Sequence, residues 1–108
     1  MAAEFDVQTF ESDVLGATSP VLVDFYSVGW PPCKRLGPVI DELATENEGN
    51  AVVGKVNVND HMELAVKYGI SAVPTLIVFK GGEVVERMQG FKDKAELQAV
   101  IDTHSASA

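Results

Sequence analysis

The segment VLVDFYSVGWPPCKRLGPVIDELATEN, residues 21–47, carries a strand, a turn and a helix in one unbroken run. Val21 to Tyr26 is β-branched and aromatic and apolar on both faces, the pattern of a strand buried inside a sheet. Its single charge, Asp24, is the anomaly. From Cys33 to about Asn47 the period changes. Leu36, Val39, Ile40, Leu43 and Ala44 recur at spacings of three and four, which predicts an amphipathic helix. Gly37-Pro38 falls inside that pattern. A proline there removes one helical hydrogen bond and kinks the helix rather than ending it, because the periodicity continues past it.

Outward from this segment, the same reasoning covers the rest of the chain. Residues 5–7 read as a short edge strand, and Thr9 as the cap of a helix reaching Leu15, with Gly16 as its stop. Residues 51–58 form a second buried strand. Asn59 or Asp60 then caps a helix carrying Leu64, Ala65 and Tyr68 and ending at Gly69. Residues 75–79 and 84–88 flank Lys80-Gly81-Gly82-Glu83, a hairpin signal in which the glycines supply positive φ angles. A last helix, from about Lys92 to Thr103, buries Leu97, Val100 and Ile101, and residues 105–108 are expected to fray. Strands alternating with helices, followed by a hairpin, predict an α/β class with a central mixed β-sheet flanked by helices on both faces.

Composition narrows the functions. A chain of 108 residues that is 46% hydrophobic suffices for one compact domain, residues 1–108, and is too short for two. No repeat is visible, and the longest apolar runs fall far short of a membrane span. The start MAAEFDVQ lacks a basic region and an apolar stretch of the secretory kind, so a cytoplasmic location is expected. A net charge of −8 argues against a nucleic-acid partner. The acid-rich run 41–48 reads more readily as the solvated face of a helix than as a docking patch. One cysteine excludes an internal disulfide, so stability must come from the core. His61 and His104 have no second ligand at metal-site spacing, and no metal is expected.

Several motifs then point the same way. Val23-Asp24-Phe25, Cys33 nine residues after the Asp, Lys34, and Pro38 five residues after the cysteine follow the thioredoxin pattern. Lys55-Val56-Asn57-Val58, Lys67-Tyr68-Gly69-Ile70, Val73-Pro74-Thr75 and Phe79-Lys80-Gly81-Gly82-Glu83 resemble it in order and spacing. The resemblance covers nearly the whole chain and implies a thioredoxin-like fold. It also implies the thiol–disulfide oxidoreductase class, protein disulfide or peptide substrates, a thioredoxin reductase as redox partner, and no cofactor.

The active-site motif departs from that pattern. Members of the family carry Trp-Cys-x-x-Cys, where this chain has Gly29-Trp30-Pro31-Pro32-Cys33. Counting from Asp24 or back from Pro38 places Cys33 at the second cysteine and Trp30 in the slot of the first. The first cysteine is the attacking thiolate, its pKa lowered by the free N–H groups and dipole of a helix N-terminus. The second resolves the mixed disulfide so formed. An indole cannot attack sulfur, so the ordinary two-cysteine cycle is expected to be disabled, leaving at most monothiol chemistry at Cys33.

The resemblance places Cys33 about one turn inside the helix and shielded, where burial lowers reactivity and an inert core residue is the plainer expectation. It also implies that Asp24 lies buried beneath the thiol as its proton acceptor, with Lys55 close enough to pair with it. Catalytic candidates are therefore Cys33, Asp24 and Lys55. Val73-Pro74-Thr75 resembles the family's cis-proline loop, whose backbone pairs with an extended peptide. Gly29, Trp30, Pro31, Pro32, Ile70, Val73, Pro74 and Gly90 are the candidate substrate-binding residues. Two alternatives stand: an oxidoreductase with a disabled cycle, or a redox-inactive module that keeps the docking surface. The docking residues themselves have a blander reading, in which they only close the fold.

Overall fold

The computed structural model describes residues 2–105. Its sheet has five strands: β1 (Ala3–Glu4), β2 (Val21–Tyr26), β3 (Val52–Asn57), β4 (Thr75–Lys80) and β5 (Glu83–Gln89), in the order β1-β3-β2-β4-β5. The first three are mutually parallel, while β4 runs antiparallel to β2 and β5 antiparallel to β4. β2 is central and covered on both faces, which is why its sequence is apolar throughout apart from Asp24. The register sets Asp24 opposite Lys55 on β3 and Leu76 on β4.

Helix α1 (Pro31–Glu46) and helix α3 (Lys94–Ser105) cover one face. Leu36, Ile40 and Leu43 of α1 and Leu97 and Ile101 of α3 pack with Leu22, Val53, Leu76 and Val78 of the sheet. On the other face a π-helical turn (Glu11–Leu15) and helix α2 (Met62–Lys67) bring Phe10, Val14 and Leu64 onto Val21, Val23, Phe25, Val56, Ile77 and Phe79. The rings of Phe10, Tyr68 and Phe79 meet with centroids 5.2 to 5.5 Å apart. The mixed sheet with helices on both faces is the architecture that the hydrophobic periods implied.

Helix α1 starts two residues before the apolar period shows it. Pro31 and Pro32 occupy its first positions, where an N–H would have no helical acceptor, so the missing donors cost nothing. Trp30 is the extended N-cap residue, and its carbonyl accepts the N–H of Lys34 at 3.0 Å. The helix runs on through Pro38. Between β4 and β5 the expected tight turn forms, with Gly81 and Gly82 at φ of 60° and 83°.

Local polar side chains shifted several boundaries. Residues 5–7 are not the edge strand; β1 lies at Ala3–Glu4, and the Phe5 ring turns inward over Gly54. Thr9 is not the cap of the next element, whose N-cap residue is Phe10 with no side-chain cap bond. Asp6 Oδ1 accepts the N–H groups of Gln8 and Thr9 at 2.9 and 2.8 Å, while Thr9 Oγ1 accepts that of Asp6 at 3.1 Å. Neither Asn59 nor Asp60 caps α2. Asn57 turns the chain there, its Oδ1 accepting from Asn59 and its carbonyl from Asp60 and His61. Helix α3 begins at Lys94 rather than Lys92, because Asp93 and Glu96 form a reciprocal cap. Its Val100 is only half-buried. Ser105, expected to fray, closes α3 with its hydroxyl on the Ile101 carbonyl, and the expected tail at 106–108 lies outside the described residues.

Candidate functional site at the start of the first helix

The turn from β2 into α1 places its side chains at two depths. Val28 and Trp30 project outward, 73% and 51% exposed, and Gly29 and Pro31 are exposed beside them. Ser27 anchors the turn by donating its hydroxyl to Asn59 Oδ1 at 2.8 Å. Cys33, in the first turn of α1, points inward and is 6% exposed. Burial pushes its thiol pKa up, a backbone N–H in the Ser27 region opposes that rise, and the nearby Asp24 charge adds to it.

Asp24 lies beneath the thiol at 1% exposure, and its Oδ1 receives no hydrogen bond from the protein. Burial raises its carboxyl to about 7; the Lys55 ammonium counters the rise and the Glu4 carboxylate reinforces it. The expected Asp24–Lys55 pair does not form as such. Lys55 Nζ lies 3.5 Å from Asp41 Oδ1 on α1, so the ammonium is taken by a more solvent-exposed carboxylate. Next to them, the Tyr26 hydroxyl donates to Glu4 at 3.2 Å, and burial and that carboxylate push the phenol up to about 12.

Asp24, Cys33 and Lys55 share a cleft of about 230 Å³ whose other walls are Tyr26, Gly37, Lys34 and the Ser27–Gly29 turn. Sequence reasoning did not single out Tyr26, Ser27, Val28, Lys34 or Gly37 for it. Two signals point there in retrospect. Strand alternation puts Tyr26 on the same sheet face as Asp24, and Gly37 stands one turn after Cys33 with no side chain to fill the space.

The candidate docking residues come from two places. Gly29, Trp30, Pro31 and Pro32 are contiguous at the start of α1. Before β4, Pro74 is buried, the Val73–Pro74 peptide bond is cis, and the Gly90 N–H donates to the Pro74 carbonyl at 2.9 Å. Phe91 follows, partly exposed, with the Arg35 guanidinium of α1 5.0 Å above its ring, so the two groups are linked through α1. Val73 is half-buried, and Ile70 packs against the core cluster of Phe10 and Phe79 rather than standing free. Among the described residues no group of three or more His, Cys, Asp or Glu is placed to hold a metal, and no helix is long and apolar enough to cross a membrane.

A five-stranded mixed sheet that carries a thiol at the N-terminus of its first long helix, over a buried carboxylate, defines the thioredoxin-like class of α/β proteins. The family model described as Thioredoxin matches residues 1–103, and the chain belongs to the thioredoxin family, within the thiol–disulfide oxidoreductase class. It is 40% identical over 97 residues to a thioredoxin of Chlorobaculum thiosulfatiphilum, covering 90% of each chain. It is 40% identical over 103 residues to thioredoxin 1 of Nostoc sp., covering 95% of this chain and 96% of that one. To the mitochondrial thioredoxin of Mus musculus it is 39% identical over 100 residues, 90% of this chain and 60% of that one.

Proposed function

We propose that this thioredoxin-family protein does not run the two-thiol reduction cycle, and that its remaining sulfur chemistry is confined to Cys33. The observation that carries this reading is the pairing of an exposed Trp30 at the N-cap of α1 with a buried Cys33 in the helix behind it, in a chain with one cysteine. The position best suited to lowering a thiol's pKa, the helix N-terminus, is held by an indole. The thiol that is present sits where burial raises its pKa. In this reading Asp24 accepts the Cys33 proton, and Lys55 tunes the charge on Asp24 through the field between them. Residues 1–108 act as a single cytoplasmic domain, and the thioredoxins it resembles suggest protein disulfides or peptides as partners, with a thioredoxin reductase as a further one.

One observation favours the second reading, a binding module. Val28, Trp30 and Phe91 are large apolar side chains left exposed at or beside the candidate docking residues Gly29, Pro31, Pro74 and Gly90. Aromatic groups in such settings are suited to anchor a partner peptide.

Reduction of insulin with dithiothreitol as electron source separates a working cycle from a disabled one. The expected result is turbidity at the rate of dithiothreitol alone. Turnover above that background overturns the disabled-cycle reading.

A further inference from the structure

The cleft beside Cys33 meets the proposed docking face only at Val28 and Gly29: Trp30, Pro31, Val73, Pro74 and Gly90 are not among its walls. Asp24, which lines it, is 1% exposed, and its Oδ1 is a buried acceptor that the protein leaves without a donor. Such an atom favours a guest that brings a donor, above all a charged one. Two lysines, Lys34 and Lys55, also line the cleft; Lys55 is engaged by Asp41 at 3.5 Å, and Asp24, on which the Glu4 charge acts, is the one carboxylate among the walls. The wall formed by α1 is open, since a Cβ at Gly37 would meet only Lys55 Nζ, at 3.9 Å.

We propose that this cleft admits a small disulfide bearing an ammonium group, an aminothiol disulfide of the cystamine type, which forms a mixed disulfide with Cys33 while its ammonium donates to Asp24. The inference rests on the reading of Cys33 as the remaining reactive group and names its substrate class. In the exchange the Cys33 thiolate attacks one sulfur of the reagent. The new S–S bond forms as the reagent's own breaks, and Cys33 is oxidised. Asp24 passes the Cys33 proton on to the alkaline buffer and is ionised when the ammonium donates to it, and the departing aminothiol is reduced and takes up a proton from that buffer. Reagent size matters because the cleft is only about 230 Å³. A two-carbon aminothiol is compact, whereas a tripeptide disulfide brings carboxylates toward Asp24 and Glu4.

The test is intact-mass spectrometry of the full chain in alkaline buffer with cystamine or with the neutral 2-hydroxyethyl disulfide. The ratio of the two rates is taken for the folded chain and for the chain unfolded in urea, which removes the reagents' intrinsic difference. The folded ratio is expected to exceed the unfolded one by about 10-fold, the scale of one charge-assisted hydrogen bond. Asp24→Asn is expected to bring the two ratios within roughly 2-fold. Gly37→Leu, which extends a side chain into the cleft, should slow both reagents about 10-fold in the folded chain and leave the unfolded rates unchanged.

Equal ratios in folded and unfolded parent chain, the outcome for a cleft that holds only water, overturn the proposal. So does a preference that survives Asp24→Asn, or a folded Cys33 that cystamine does not modify. Should Gly37→Leu fail to fold, the Asp24→Asn comparison decides alone. Insulin turnover would overturn the disabled cycle without changing these ratios, so the two readings fail separately.

Discussion

Asp24 and Lys55 stand opposite one another across the β2–β3 ladder, yet the Lys55 ammonium binds Asp41 of α1 at 3.5 Å, and Asp24 Oδ1 receives no hydrogen bond. The lysine therefore acts on Asp24 only through its field, and burial outweighs it: the carboxyl rises from 3.8 to about 7. A buried, partly compensated carboxylate of this kind is kept at the expense of stability, and its effect on folding depends on pH.

Below about pH 3.8 Asp24 is protonated in both folded and unfolded chains, and between 3.8 and about 7 it is protonated only when folded. The folded state binds the extra proton, so the Asp24 contribution falls as pH rises through that window and levels off above it. The shift corresponds to a loss on the order of 4 kcal/mol. Asp24→Asn should abolish this part of the slope. In urea denaturation the variant should gain stability over the parent between about pH 5 and about pH 8. A constant difference at the two pH values would show that Asp24 titrates alike in both states.

Trp30→Cys places a thiol at the N-cap of α1, where free N–H groups stabilise a thiolate. The variant is expected to lose both free thiols reversibly on mild oxidation and to reduce insulin with dithiothreitol above background. Thiol titration and the turbidity assay measure the two effects. A variant that keeps two free thiols under oxidant would mean that more than the nucleophile separates this site from a working dithiol pair.

Gly54 lies in the middle of β3, where a Cβ would come within 2.4 Å of the Phe5 ring and 2.8 Å of the Ala3 carbonyl. Gly54→Ala therefore has to displace Phe5 and β1 together. The expected cost is about 1–3 kcal/mol, the range for overpacking a filled site, read as a lower urea midpoint. A smaller effect would mean that β1 is held too weakly to matter.

Asn47 is buried between α1 and α3. Its Nδ2 donates to the Leu43 carbonyl and to Gln98 Oε1, and its Oδ1 accepts from Gln98 Nε2 at 3.0 Å. Asn47→Ala removes the Gln98 contacts, and a loss of about 1–3 kcal/mol in thermal or urea unfolding is expected. Gln98→Ala should recover part of that loss in the double variant, because it removes the stranded partner as well.

Much of this architecture was legible because it follows from local periodicity. The β2 boundaries came from the apolar run that a central strand requires, and the α1 period persisted across Pro38. The strand and helix ends that shifted did so through Asp6, Asn57 and Asp93, short polar side chains whose capping bonds involve particular backbone N–H groups. Sequence pattern gives such residues several equivalent places to cap, and only the packed chain chooses among them.

The amino-acid sequence by itself determined the fold class and the family pattern, and it placed Trp30 where an attacking cysteine stands in that pattern. Those are properties of order and spacing, and they survive without coordinates. The tertiary structure decided which carboxylate holds Lys55, how deeply Cys33 lies, and that a cleft without Trp30 among its walls joins the thiol to Asp24. These depend on distances between β2, β3 and α1, segments far apart along the chain, and electrostatics and burial act through those distances rather than through sequence spacing.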